Sequence, residues 1–399
     1  MIKNVGKSFC CFISILLGIN LAAISIATAD PALEKYFTAN AAYNRKLYPV
    51  AATQFESFLK VYNSHPKADL ALRGLALSNY ALQKYDDAIP SFAKLIAKQN
   101  LDKSINRERL IILQGKCMLQ TSQKDKAKEL FINEIKSLVN PSYKNSAIAL
   151  IIDISFGKAN WDDVIKWTPQ IKSLNPSAEQ LTRSLYQLGF AYYQKDLIPE
   201  AIDSLNSTPK ENISKKWKTR VSYLLGECYS KNNQLEDAES SLMIALEGMA
   251  DTEAGECHYR LGATRFLLKK YKKSLTNFEQ YLSTNNKEET NNENLKRRQA
   301  SLYSGRIYYE LKNYIKAENT LQKLAEGNDN IACNANFWLA RVFSDGKKDF
   351  TKSSEILGKA LTKFNQSELI DDMAFEYANA LISKKPADWK KASEALIKI

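Results

Sequence analysis

Four stretches in the middle of the chain are copies of one another. Leu185 to Leu205 reads LYQLGFAYYQKDLIPEAIDSL, and the pattern returns in register from Tyr223, Tyr259 and Leu302. In each copy a glycine (Gly189, Gly226, Gly262, Gly305) stands twelve residues before a small residue (Ala201, Ala238, Ser274, Ala317). An apolar residue follows four positions later (Leu205, Leu242, Phe278, Leu321). Two short helices that cross closely account for this register, because a close crossing admits only small side chains where the backbones meet. Polar runs such as Gln194-Lys195-Asp196 and Lys312-Asn313 supply the turn, and apolar residues at three- and four-residue intervals give each helix one buried stripe.

Weaker copies extend the series. The small position recurs at Ala51, Ala88, Ala127 and, enlarged, at Val164 before the strong block, then at Ser353 and Ala392 after it. Ten units result, at steps of 37, 39, 37, 37, 37, 36, 43, 36 and 39 residues. With 399 residues, 45% of them hydrophobic, the chain has the material for a continuous but thin core and not the composition of a disordered one. The expected fold is all-α, an α-solenoid of about ten helix-turn-helix units.

The series resembles the tetratricopeptide repeat, whose Leu-Gly, Tyr and Ala positions it reproduces at Leu188, Gly189, Tyr192 and Ala201. The steps exceed that repeat's usual length, as in the degenerate repeats of bacterial envelope proteins such as the Tol-Pal-associated periplasmic coordinator and the outer-membrane assembly lipoproteins. The resemblance implies a right-handed superhelix, a role in holding other proteins, no cofactor and no catalysis. The lipid-attachment cysteine and the N-terminal coiled coil of those relatives are missing, so their partners do not carry over.

Residues 1–29 carry Lys3 and Lys7, no acidic residue, a mainly apolar run from Phe9 to Ala23, and Ala27-Thr28-Ala29 before Asp30. That order predicts a secretory signal peptide cleaved after Ala29, giving a periplasmic or secreted protein; an uncleaved membrane anchor is the alternative. Residues 30–282 are then repeats one to seven, 283–298 a polar loop, and 299–399 repeats eight to ten. Without the first 29 residues the net charge falls from +12 to +10. A basic protein favours acidic partners. An exported chain without a basic cluster interleaved with aromatics is not read as a nucleic-acid binder. The polar-capped end that repeat arrays usually have is not evident from Trp389 to Ile399, so that end is expected to continue, to dock on a partner or to pair with a second copy.

Cys117, Cys228, Cys257 and Cys333 are spaced too widely for a compact disulfide framework and read as free, buried thiols. His65 and His258 belong to no metal-spaced cluster, and neither a phosphate-binding loop nor a nucleophile elbow is present. A solenoid portion of a peptidoglycan-processing enzyme and a wall-polymer binder remain alternative readings.

The resemblance also implies a groove. Three residues before the glycine position stand Tyr186, Tyr223, Tyr259, Leu302, Phe337 and Phe375. Positions four and seven residues further on add Phe190, Arg306 and Arg341, then Tyr193, Phe266 and Tyr309; Arg183 and Arg220 precede the column by three. Aromatic and arginine side chains are common at protein-binding surfaces. The competing reading is that some of these rings fill space between neighbouring first helices.

Overall fold

The computed structural model describes residues 30–284 and 291–397. These fold into twenty α-helices, with no strand among the described residues. In chain order they form ten consecutive pairs. The first five pairs are α1 (Pro31–Asn44) with α2 (Tyr48–Val61), α3 (Ala68–Ala81) with α4 (Tyr85–Ile96), α5 (Arg107–Gln120) with α6 (Lys124–Glu134), α7 (Pro141–Gly157) with α8 (Trp161–Trp167), and α9 (Ala178–Gln194) with α10 (Ile198–Asn206). The next three are α11 (Lys215–Lys231) with α12 (Leu235–Gly248), α13 (Gly255–Leu267) with α14 (Tyr271–Ser283), and α15 (Asn291–Glu310) with α16 (Tyr314–Ala325). The last two are α17 (Asn330–Arg341) with α18 (Phe350–Lys363) and α19 (Ile370–Ser383) with α20 (Trp389–Ile397). The chain divides into two compact units, up to Ile154 and from Ser155.

The ten small positions fall in the ten second helices, and every one is buried. Ala51, Ala88, Ala127, Val164, Ala201, Ala238, Ser274 and Ala317 are fully enclosed, Ser353 is 1% exposed and Ala392 2%. The reason lies in the neighbouring turn of the helix. A Cβ on Gly226 would stand 2.5 Å from Leu242 Cγ, and one on Gly115 would stand 2.0 Å from Phe131 Cζ. The residue four after the small position therefore lies over the bare backbone of the first helix, and burying that Leu or Phe contributes roughly 1.5–3 kcal/mol. The last copy departs, because Leu396 is exposed.

The turn within a pair has its own register. Lys46, Gln83, Ser122, Ala159, Asp196, Asn233, Lys269, Lys312 and Lys348 each stand five residues before a small position, with φ between 54° and 62°. The next backbone N–H reaches back to the first helix, as from Leu47 to the Ala42 carbonyl (2.9 Å) and from Asn313 to that of Tyr308 (2.8 Å). This closes the helix with a left-handed C-cap. None of the nine is glycine, so the tight turn is made against a cost of about 1 kcal/mol per side chain held in that region.

Within each unit, polar bonds link one repeat to the next. In the first, Arg107, paired with Glu134 of its own repeat, donates from Nε to the Ile96 carbonyl of the preceding one (3.1 Å), and Asn140 N donates to Glu108 (3.0 Å). In the second, Ser214 donates from its backbone and hydroxyl to Glu179 (2.9 and 2.8 Å), and Glu239 accepts from Arg265 (2.8 Å) and from Lys270.

The polar stretch 283–298 needs correction. Residues from Asn291 onward are helical, although residues 285–290 lie outside the described residues. The first turns of α15 are held by charge and not by an apolar stripe. Arg297 donates to the carbonyls of Leu282 (2.7 Å) and Thr284 (3.1 Å), Lys296 pairs with Glu256 (2.8 Å), and Arg298 pairs with Asp329. Residues 1–29, read as a signal peptide, also lie outside the described residues.

Candidate functional site

The thirteen groove candidates all lie on first helices of the unit from Ser155: Arg183, Tyr186, Phe190 and Tyr193 on α9, Arg220 and Tyr223 on α11, Tyr259 and Phe266 on α13, Arg306 and Tyr309 on α15, Phe337 and Arg341 on α17, and Phe375 on α19. Two belong to the packing. Tyr259 and Phe337 are each 9% exposed, Tyr259 with its ring against Phe278 and Tyr281 and its hydroxyl donating to Gln299, and Phe337 among Leu357, Phe364 and Met373. At those two positions the rings fill space between helices. Arg183, Arg220 and Phe375 are exposed, and the other eight are half-buried.

The half-buried residues form two clusters. On α9 and α11, Phe190 packs against Phe156 and Trp161 (5.3 and 5.6 Å between ring centres) and next to Tyr186, which meets Trp217 at 5.5 Å. Arg220 lies over Trp217 at 5.3 Å. A cavity of about 560 Å³ opens here, lined by Tyr186, Arg220 and Tyr223 together with Lys215, Lys216 and Glu253. Tyr193 has Lys231 over its ring, and that lysine also bonds Asp196 of the preceding turn.

The second cluster runs across α13, α15 and α17. Phe266 meets Tyr303 at 5.0 Å, and Tyr309 meets Trp338 at 5.3 Å. Arg306 sits 4.9 Å from the centre of Phe266 and 4.7 Å from that of Trp338. Arg341 lies 5.2 Å from Trp338 and 5.3 Å from Tyr309, whose hydroxyl bonds Asp345. Burial disfavours the charge on Arg306 and lowers its pKa. Burial likewise raises the Glu376 carboxyl, against the pull of nearby Arg341.

Between the clusters lies an ionic run. Arg260 pairs with Glu227 and Glu256, both at 3.1 Å, and Lys296 also reaches Glu256. Burial raises the carboxyl of Glu227, and Arg260 only partly offsets it.

Sequence reasoning missed Trp217 and Trp338. A column two residues before the glycine position, one step from the column that was read, finds Tyr303 and Trp338, and these rings pack on Phe266 and Tyr309 of the preceding repeat. Cys117, Cys228, Cys257 and Cys333 are free and buried, and burial pushes the Cys257 thiol up to about 12. Among the described residues no group of three or more His, Cys, Asp or Glu is placed to hold a metal ion, and no helix is long and apolar enough to cross a membrane.

Residues 38–102 match the family model described as tetratricopeptide repeat. Among solved structures, the C-terminal part of a TPR repeat-containing protein from Cytophaga hutchinsonii is similar at 16% identity. That likeness covers 76% of this chain and 98% of that one, with a TM-score of 0.42. The human IFIT1 dimer with m7Gppp-AAAA is similar at 13% identity over 91% and 88% of the two chains, with a TM-score of 0.33. Among curated proteins none matches. The chain is an all-α helical-repeat protein whose residues 38–102 match the tetratricopeptide repeat.

Proposed function

We propose that this protein is a non-catalytic scaffold of the bacterial cell envelope that binds partner proteins or peptide segments along its first helices from α9 to α19. The observation that carries the reading is the row of rings and guanidinium groups on successive first helices, at repeating positions, most of them half-buried or exposed. Tyrosine, tryptophan and arginine supply large contact area with few rotatable bonds and dominate measured binding hot spots. The tetratricopeptide match supports the same reading, because repeat arrays place recognition on extended faces of stacked units.

Export is part of the proposal. It is supported by the two lysines, the apolar run and the Ala27-Thr28-Ala29 site in the first 29 residues. Intact-mass measurement of the protein from an envelope fraction should give a chain beginning at Asp30.

The binding test is capture from envelope extract with the parent protein and with a variant carrying Tyr186→Ala, Arg220→Ala and Tyr309→Ala. A protein retained by the parent and lost from a variant with unchanged helical circular dichroism is the expected result. Equal retention by both removes the groove reading.

A further inference from the structure

Arg306 and Arg341 occupy the same position in consecutive repeats, one residue after Gly305 and Ala340. Both lie over aromatic rings, and both have a buried Nε without a hydrogen bond. Their charges are treated differently. Arg341 has Asp345 one turn on at 3.5 Å and Glu376 of the next repeat at 3.8 Å. The residue one turn on from Arg306 is Glu310, which attracts the guanidinium, yet among the described residues no carboxylate closes an ion pair with Arg306. Phe266 and Trp338 flank its guanidinium instead, at 4.9 and 4.7 Å.

A cation partly withdrawn from water without a bonded counter-charge is costly, and ring faces and a carboxylate beyond bonding distance offset only part of that cost. The cost is recovered when a carboxylate arrives from outside. Resting on the partner-binding reading above, we infer that Arg306 is the receptor for an aspartate or glutamate side chain of a bound partner segment laid across α13, α15 and α17. Apolar residues flanking that carboxylate would pack on Phe266, Tyr309 and Trp338. Charge complementarity selects this occupant: a guanidinium held between two rings, with no ion pair among the described residues, in a strongly basic chain, discriminates a carboxylate from its amide.

The test uses the full chain and a display library of random peptides, followed by fluorescence anisotropy on a selected acidic peptide and its glutamine- or asparagine-substituted twin. The acidic peptide should bind the parent roughly tenfold or more tightly than its twin, the scale of a charge-assisted bond. In Arg306→Met and Arg306→Gln that preference should vanish while the twin's affinity is retained; Lys272→Gln, an exposed cation on second helix α14, should keep it. Acid preference that persists in both Arg306 variants overturns the inference. So does a selected set without enrichment of Asp or Glu, which leaves the groove reading standing. A library that yields no binder counts against both.

Discussion

Residues 30–154 and residues 155–397 are built by the same rule and finished differently. Both use buried small residues in the second helix, a bare glycine under a Leu or Phe, and left-handed turns without glycine. In the first unit Arg107, which reaches the Ile96 carbonyl of the preceding repeat, is also paired with Glu134. Among the described residues, every arginine over a ring lies in the second unit, at Arg220, Arg260, Arg306 and Arg341. The described residues of the first unit have lysines over rings, Lys35 and Lys67. One scaffold thus carries arginines over rings in one unit and not in the other, and the proposed partner-binding face lies in the unit that has them.

If the scaffold is shared, breaking it should hurt both units. The largest effect is expected at Glu239, whose side chain is 10% exposed between Arg265 and Lys270. Removing it as Glu239→Ala strands a buried guanidinium and should cost about 3–5 kcal/mol in denaturant unfolding. Glu134→Ala, at a more exposed pair, should cost less.

The pH dependence of these two carboxylates has a definite sign. Burial raises both, but Lys270 and Arg265 outweigh it at Glu239, as do Arg107 and Ser137 at Glu134, so both folded values lie below the ordinary 4.5. Their stabilisation is present above 4.5 and is lost as pH falls through the folded values. Acid titration of the Glu239 and Glu134 variants should therefore show a shallower loss of stability below pH 4.5 than the parent.

Next in size are the helix crossings. Gly115→Ala would meet the rigid ring of Phe131, and Gly226→Ala the branched end of Leu242. Each should lose about 1–3 kcal/mol by overpacking, Gly115 the more because a ring cannot fold aside. Unchanged thermal unfolding of either variant would show that the two units do not share this joint.

The smallest effect runs in the opposite direction. Gln83→Gly in the first unit and Lys312→Gly in the second should stabilise by up to about 1 kcal/mol, since φ near +60° suits glycine at no steric cost. A loss at either site would mean that the side chain, and not the turn, is what matters there.

The repeat was legible because close packing leaves a trace in composition. A site that admits only Ala or Ser has to hold one in nearly every copy, and ten such sites located all ten second helices. The turns were located by their polar runs, but their backbone conformation was not legible. Lys, Gln, Ser and Ala there give no sign of a left-handed backbone, which the two flanking helices impose. The start of α15 read as loop because its stripe is ionic, with Lys296, Arg297 and Arg298 bonded to neighbouring elements. At the candidate site the aromatic column was visible, but the pattern could not tell Phe337, turned into the core, from Trp338 beside Arg306. Spacing records which residues recur, and burial depends on what the next repeat places against them.

Site-specific photo-crosslinking in producing cells tests the partner-binding face most directly. A photoreactive residue is placed in turn at Tyr309 and Phe375 on first helices of the second unit, at Phe37 in the first unit, and at Ile315 on second helix α16. Phe375, Phe37 and Ile315 are 57%, 57% and 70% exposed, so access does not favour Phe375 over the two control sites. One common adduct from Tyr309 and Phe375, absent from Phe37 and Ile315, is the predicted result. Adducts from Phe37 or Ile315, with none from Tyr309 and Phe375, would contradict it.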